Sequence, residues 1–191
     1  MKKVLWLLLL LLPACSHAED PCADLASTAI GAALEDPTDT YNLAVDFYTG
    51  KCVAKDYGKA AKLWERAAAS GVTSAKNNLG YLLSEGLGVK QDQPRAAALW
   101  LEAAKAGHAE SQVHLGNALF YGYGVPMDQA RGLAWVLLAT QSAADTPGTG
   151  GGPAVLEQAQ DEQAKMLKVA PELESAAKAL IGQLGVAQHE R

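Results

Sequence analysis

Four residues near the end of the sequence, Ser175-Ala176-Ala177-Lys178, have the spacing of a serine nucleophile that is activated by a lysine. In penicillin-recognising enzymes, the lysine lies one helical turn after the serine and activates its hydroxyl. The companion motifs S-D-N and K-T-G do not occur in the sequence. A single S-x-x-K string arises easily by chance, so we predict no catalytic residue and interpret this string as part of an amphipathic closing helix.

Neither the histidines nor the glycine pairs predict a cofactor site. His108 and His114 are six residues apart, whereas two metal ligands on one helix face need a spacing of four. The G-x-G turns that begin at Gly86 and Gly122 follow no strand pattern, which a dinucleotide-binding loop requires. We therefore predict no metal and no cofactor, and we assign these glycines to helix ends and tight turns.

A period of 36 residues organises the middle of the sequence. The segment LGYLLSEGLGV from Leu79 recurs as LGNALFYGYGV from Leu115, and AAKLWERAAASG recurs as AAALWLEAAKAG. One period earlier the same register holds Leu43, and Cys52 occupies the position where the later copies have Gly88 and Gly124. The pattern predicts three copies of one structural unit.

Each copy has the pattern of two helices joined by a glycine turn. In the second copy, Ala75, Leu79 and Leu83 recur at helical spacing, and Gly86 follows where a left-handed cap requires a residue without Cβ. Asp92 then precedes a second apolar helix as its N-cap. Because one such hairpin cannot bury its apolar face alone, the pattern predicts stacked copies that form an all-α solenoid.

The segment LGYLLSEGLGVKQDQPRAAALWLEAAKAG resembles a Sel-one-like repeat, a tetratricopeptide-related α/α hairpin of about 36 residues. The likeness lies in the LG pair, the GxGV turn, the Asp, and the Ala-rich helix with its Trp. The resemblance implies an all-α, right-handed α/α solenoid with N- and C-terminal capping helices. It also implies a role in binding a protein or peptide. Cysteine-rich relatives of the family are linked to penicillin binding or hydrolysis. The alternative function is therefore an envelope hydrolase that acts on peptidoglycan or β-lactams, or a penicillin-binding protein.

This interpretation divides the chain into consecutive segments. Residues 1–18 are predicted to be a signal peptide, and residues 19–38 an N-terminal capping helix. The three repeats are predicted at 39–74, 75–110 and 111–144. A Gly-rich loop at 145–153, which we interpret as a tolerated insertion, precedes C-terminal capping helices at 154–185 that turn at Pro171-Glu172.

Residues 1–18 have the composition of a secretory leader. Lys2 and Lys3 precede an apolar run that ends at Leu12 and is too short to span a bilayer, and cleavage is expected after Ala18. The chain is therefore expected to be exported to the periplasm or secreted. Cys15 closes a segment that resembles a lipoprotein box, so a lipid-anchored outer-membrane protein is the alternative.

The charge balance argues against two classes of partner. The chain has 16 basic and 21 acidic residues, and loss of the leader with its two lysines leaves 14 basic residues and a net charge of −7. An acidic domain has no electrostatic footprint for nucleic acid and is repelled by anionic membranes. We expect a protein or peptide partner, no nucleic acid, and no membrane insertion after cleavage.

Polar residues recur at one position of the three first helices. Asn42, Asn78 and His114 are each 36 residues apart, and each directly precedes the leucine that recurs with the same period. By resemblance to tetratricopeptide arrays, whose first helices line a concave groove, they are candidates to bind a peptide backbone. Further candidates for the same face are Tyr81, Asn117 and Tyr121. The alternative is that the asparagines form structural hydrogen bonds between helices.

Two cysteines remain after the predicted cleavage, and export would permit a disulfide between them. Cys22 opens a capping helix of about 20 Å, and the next helix, near Thr40 to Thr49, runs back over a similar length. Cys52 therefore returns to the end of the array where Cys22 lies. We predict a bridge that ties the first repeat to its cap, and two free thiols are the alternative.

Overall fold

The computed structural model describes residues 22–145 and 150–186, and over these ranges it consists of helices and turns without a strand. The predicted signal peptide, with Cys15, lies outside the described residues. In chain order the helices are α1 (Leu25–Ala33), α2 (Pro37–Thr49), α3 (Tyr57–Ala69), α4 (Thr73–Glu85), α5 (Gln93–Lys105), α6 (Ala109–Tyr121), α7 (Gln129–Asp145), α8 (Pro153–Val169) and α9 (Glu174–Leu180). Short 3-10 turns at Pro171–Leu173 and Ile181–Gln183 flank α9.

The first helix of each repeat ends at a glycine, as predicted for Gly86. The helices α2, α4 and α6 have 13 residues each. Each is followed by a glycine with positive φ: Gly50 (73°), Gly86 (69°) and Gly122 (78°). Since glycine adopts the left-handed conformation without a Cβ clash, the chain turns sharply after each of these helices.

An aspartate then starts each second helix. The carboxylate of Asp92 accepts a hydrogen bond from the backbone N–H of Arg95 at 3.0 Å, which confirms the predicted N-cap. Asp56 and Asp128 cap α3 and α7 in the same way, at 2.9 and 3.0 Å. Such a side chain satisfies one of the four N–H groups that the first helical turn leaves without a partner.

Small residues and tryptophans form the core between the helices. Trp64, Trp100 and Trp135 are buried on α3, α5 and α7. Alanines about one turn from Trp64 and Trp100 are almost fully excluded from solvent: Ala60, Ala61, Ala67, Ala96, Ala97, Ala103 and Ala104. The first helix packs closely on the tryptophan, because a Cβ added at Gly80 would lie 2.6 Å from the Trp100 indole nitrogen. The large indole and the small residue therefore complement each other in the second hairpin, whereas the equivalent Gly116 of the third repeat packs against Val136.

Consecutive repeats meet backbone to backbone at the second glycine of each turn. A Cβ added at Gly88 would lie 2.4 Å from the backbone nitrogen of Gly58, and one at Gly124 would lie 2.5 Å from the backbone carbon of Gln93. Gly58 and Gln93 both lie in the first turn of the second helix of the preceding repeat. A side chain at either position would force the two repeats apart.

The first repeat has no preceding repeat, and its turn carries Cys52 in that register. Cys52 is bonded to Cys22, with their Cα atoms 5.5 Å apart, a separation usual for disulfides. The predicted bridge is thus present, and it joins the turn between α2 and α3 to the residues just before α1.

The C-terminal helices cover the last repeat. Helix α7 packs against α6, α8 and α9. Within α9, the Lys178 ammonium donates to the Glu174 carboxylate at 2.7 Å, and all three of Glu174, Ser175 and Lys178 lie at or near the surface. The lysine is therefore paired with a carboxylate on its own helix. Among the described residues, no helix has the length and apolar character needed to cross a bilayer.

Candidate binding face

The helices α2, α4 and α6 lie side by side and form one surface of the array, which we call the first-helix face. Their side chains contact one another directly. The amide nitrogen of Asn78 on α4 donates to the Tyr41 hydroxyl on α2 at 3.4 Å, and the amide nitrogen of Asn77 donates to the Glu110 carboxylate on α6 at 2.9 Å. Direct polar contacts thus connect all three first helices.

The second helices α3 and α5 flank a cavity on the opposite side. A cavity of about 800 Å³ lies between α3 and α5, with Leu79 and Leu83 at its base. An ion pair between Arg95 and Glu65 crosses it. Because the other charged residues of the lining include both acids and bases, the cavity favours neither an anionic nor a cationic ligand. These residues are Asp56, Lys59, Lys62, Lys90 and Asp92.

The six predicted binding residues all lie on α2, α4 or α6, but their environments differ. Asn42 is exposed, whereas Asn78 is half-buried and engaged with Tyr41 and with Asn77. His114 is half-buried, and its ring stacks on Trp100 with ring centroids 4.9 Å apart. Tyr81 lies 6.5 Å from the same imidazole. The structure therefore brings Tyr81 and His114 together, whereas Asn78 contacts Tyr41 on α2 and Asn42 is exposed.

The last two candidates complete this group at its outer end. Asn117 is half-buried, and its Oδ1 atom is buried without a hydrogen-bond partner among the described residues. Tyr121 is exposed, and its ring stacks on that of Tyr123 with centroids 5.6 Å apart. Aromatic rings and one unsatisfied amide oxygen thus lie together where the second repeat meets the third.

A pocket of about 210 Å³ opens between α4 and α6 at this junction. Trp100 lines it from α5, and Tyr81, His114 and Asn117 line it from the first-helix face. The lining is completed by Ser84, Glu85, Gln93, Ala118 and Tyr123. Glu85 is the one carboxylate in this lining, Ala118 is apolar, and the other lining residues are aromatic or polar.

Beside the pocket, a buried hydrogen-bonded network connects α4 to α6. The Ser111 hydroxyl donates to Asn77 Oδ1 at 2.8 Å, and Asn77 donates to Glu110. His108 Nδ1 accepts from the Ser111 backbone N–H at 3.3 Å and thereby caps α6. Because Nδ1 accepts this hydrogen bond, the imidazole is neutral in this arrangement.

The end of the Gly-rich loop closes over this network. The carbonyl oxygen of Gly150 accepts from the Glu110 backbone N–H at 3.0 Å. A Cβ at Gly150 would lie 2.2 Å from the His108 ring, so the loop backbone packs directly on the imidazole. Gly152 then donates to the Ala143 carbonyl at 3.0 Å, which ties the loop back to α7. These contacts give the segment a structural role that the sequence did not suggest.

Burial shifts the pKa of each titratable group in the network. It lowers the pKa of His108 to about 4, with a further contribution from His114, and it lowers the pKa of His114 to about 4. It raises the pKa of Glu110, against which the hydrogen bond from Asn77 acts. No group of three metal-ligating side chains occurs within residues 22–145 and 150–186.

The sequence itself matches a family profile described as the Sel1 repeat, over residues 40–72, 73–108 and 109–142. These three matches cover more than half of the chain. The chain belongs to the Sel1 repeat family. No protein of curated function matches the sequence.

Solved structures show the same fold. A Sel1 repeat protein from Oxalobacter formigenes is 24% identical, with a TM-score of 0.58, over 72% of this chain and 98% of that one. A protective antigen of uropathogenic Escherichia coli with an SLR fold is 28% identical, with a TM-score of 0.56. That match covers 87% of this Sel1 repeat protein and 38% of the antigen. The α/α solenoid expected from the repeat pattern is thus confirmed.

The buried network was not predicted from the sequence, although a signal was present. At the equivalent positions of the preceding Sel1 repeat, Val72 and Ala75 are apolar, whereas the third repeat has His108 and Ser111. A change from apolar to polar within one register marks a site where that repeat makes contacts its neighbours lack. Comparison of the registers would have identified the residues, but not their partners.

Acid is expected to destabilise the protein through His108. Its folded pKa of about 4 lies below the unfolded value of about 6.5, so the unfolded state binds the proton more readily and stability falls as pH drops from about 6.5 towards 4. The expected loss in free energy of unfolding between pH 7 and 4.5 is about 2–3 kcal/mol from this group. Urea titrations at both pH values measure it.

The control for this effect is His108→Asn, whose amide oxygen can still cap α6 but does not titrate. The pH dependence should shrink by about the same 2–3 kcal/mol in this variant. Acid also lowers the free energy of unfolding through His114, because burial lowers its pKa as well. Glu110 acts in the opposite direction, because its raised pKa makes the folded state bind a proton more readily than the unfolded state. An unchanged pH dependence in His108→Asn would contradict the assignment.

Proposed function

We propose that this Sel1 repeat protein is an exported adaptor that binds a protein or peptide partner in the cell envelope through its first-helix face, without catalysis. Sel1 repeats are typically protein-interaction modules. The observation that carries the proposal is the cluster of exposed aromatic side chains on this face, with Tyr81, Tyr121 and Tyr123 exposed by 36, 39 and 54%. Exposed tyrosines beside half-buried amides are typical of protein-binding surfaces.

The likeness to tetratricopeptide arrays supports the choice of face. The first helices contact one another through Asn78–Tyr41 and Asn77–Glu110 and so form one continuous surface. In tetratricopeptide-like arrays, the first helices line the concave groove. We therefore assign the first-helix face as the concave side, which can surround a helix or an extended peptide.

Two features support export. Residues 1–18 have the pattern of a signal peptide, and the disulfide between Cys22 and Cys52 is of the kind that persists in oxidising compartments. A periplasmic or secreted protein accounts for both. Lipidation at Cys15, which lies outside the described residues, would instead anchor the same array to the outer membrane.

A photo-cross-linking experiment in the source organism tests both the choice of binding face and the export of the protein. A benzoylphenylalanine replaces Tyr121 on the first-helix face in one variant and the exposed Lys62 on α3 in the matched control. The Tyr121 variant is expected to yield a discrete adduct and the Lys62 variant none. Mass spectrometry of the same material should find a free Glu19 at the N-terminus. Equal adducts from both positions, or adducts from Lys62 alone, would overturn the choice of face.

A further inference from the structure

One register of the Sel1 repeats, the next-to-last residue of each first helix, holds an aromatic side chain in two of the three copies. In the first repeat it holds Tyr48, whose ring lies 5.3 Å from Trp64 and 5.4 Å from Tyr57, measured between centroids. In the third repeat it holds Phe120, which is buried. In the second repeat the register holds Ser84. The middle copy therefore lacks the aromatic ring that the other two have.

The pocket of about 210 Å³ opens at the position where this ring is missing. Its lining includes Ser84 itself, together with Trp100 and Gln93, which are the counterparts of Trp64 and Tyr57 one period later. The two residues that hold the Tyr48 ring in the first repeat thus have their counterparts in the pocket wall. The volume is below the roughly 300–1,000 Å³ of sites that bury drug-sized ligands, and it suits one side chain.

The polar groups of the pocket fit a phenol. Burial raises the pKa of Tyr48, and the phenol at position 81 contributes to the same shift. One period later that position is Asn117, whose Oδ1 atom is buried without a partner among the described residues. A buried acceptor without a hydrogen bond is unfavourable, and a phenolic O–H could supply the donor after a small rotation of the amide.

We propose that this pocket binds the side chain of a tyrosine from the partner protein, in the position that Tyr48 occupies in the first repeat. The inference rests on the proposed adaptor function and adds the residue type that the partner presents. The phenol ring would lie against Trp100 and between α4 and α6, and its hydroxyl would be directed to Asn117. The partner's ring would thus complete a row of aromatic side chains that the chain itself leaves open.

Other side chains match the pocket less well. A carboxylate would approach Glu85 and find no lysine or arginine in the lining. A basic side chain would be attracted by Glu85 and could donate to Asn117, but it has no aromatic ring to replace the missing one. An aliphatic side chain would leave Asn117 Oδ1 without a donor. The phenol alone satisfies both the aromatic walls and the amide oxygen.

The test uses p-cresol, which is the tyrosine side chain without its backbone, and ¹⁵N-labelled protein. The indole N–H signal of Trp100 should shift in a saturable way, with half-saturation at about 1–10 mM, as expected for so few non-hydrogen atoms. The indole signals of Trp64 and Trp135 serve as internal references and should not move. Methylguanidine and n-butylamine, probes for basic side chains, should shift Trp100 at least tenfold more weakly.

Ser84→Tyr provides the decisive variant, because it gives the second repeat the ring that the first already has. Its own phenol should fill the pocket, abolish the p-cresol shift, and raise the melting temperature by about 2–4 °C. The matched control is Ser70→Tyr, which adds the same ring at an exposed position after α3 and should leave p-cresol binding unchanged.

Three outcomes would overturn the proposal: no saturable shift at Trp100, an equal shift in Ser84→Tyr, or tighter binding of methylguanidine than of p-cresol. A failure of the pocket proposal can be told apart from a failure of the adaptor proposal. A pocket that does not bind p-cresol can coexist with cross-linking from Tyr121. Loss of face-specific cross-linking would overturn the adaptor proposal and leave the p-cresol result as it stands.

Discussion

Replacement of both Cys22 and Cys52 by serine is expected to lower the free energy of unfolding by about 3–4 kcal/mol. The bridge joins residues separated by 30 positions. In the chain-entropy model, closing a loop of that length lowers the entropy of the unfolded chain and thereby raises the free energy of unfolding by about 3–4 kcal/mol. For a domain of this size, the melting temperature should fall by about 6–16 °C. Thermal and urea unfolding of the two proteins under oxidising conditions measure the difference.

Reduction provides the control for this prediction. A strong thiol reductant should lower the stability of the wild-type protein to that of the double serine variant, and it should leave the variant unchanged. If the variant and the oxidised wild type unfold at the same denaturant concentration, then the bridge does not stabilise the array.

The position of the bridge follows from how the repeats stack. Gly88 and Gly124 are glycines because the preceding repeat lies against them, within 2.4–2.5 Å of where a Cβ would be. Cys52 is in the same register, but its repeat is the first of the three matched repeats, and within the described residues helix α1 precedes it instead of another repeat. The requirement for glycine is therefore absent in the first repeat, and the side chain is free to bond to Cys22 before the capping helix.

The repeating parts of this structure were predictable because they rest on local chemistry. Gly86 ends a helix in the left-handed conformation and Asp92 caps the next one, and each depends on a few neighbouring residues. Because the sequence repeats every 36 residues, the same glycine helix end and aspartate N-cap recur in each copy. Even the disulfide followed from helix lengths alone, since two helices of similar length bring Cys22 and Cys52 to one end.

The candidate site was less predictable because it depends on how the copies differ. The register of Asn42, Asn78 and His114 correctly identified three first helices, but only His114 lines the pocket. The pocket itself arises from Ser84, which has no unusual chemistry and is notable only beside Tyr48. The absence of a ring has consequences only after the surrounding helices are in place, so no motif search would select it.

A second large effect is expected from Gly124→Ala, at the junction of the second and third repeats. The residue has a φ of 71°, which costs an alanine about 1–2 kcal/mol, and its Cβ would lie 2.5 Å from the backbone carbon of Gln93. Since the contact is with backbone, the repeats must separate, which adds about 1–3 kcal/mol. The total expected loss in free energy of unfolding is about 2–5 kcal/mol, measured by urea denaturation.

Gly122→Ala separates the conformational cost from the steric one. Gly122 has a nearly equal φ of 78°, but its nearest atom, the Cβ of Met127, would be an ordinary 3.5 Å away. This variant should therefore lose about 1–2 kcal/mol and keep its pocket. Because Gln93 lines the pocket, Gly124→Ala should also weaken p-cresol binding at Trp100, whereas Gly122→Ala should not. Equal losses of stability in the two variants would show that the repeats can separate at this junction without cost, and that the glycine is required for its backbone conformation alone.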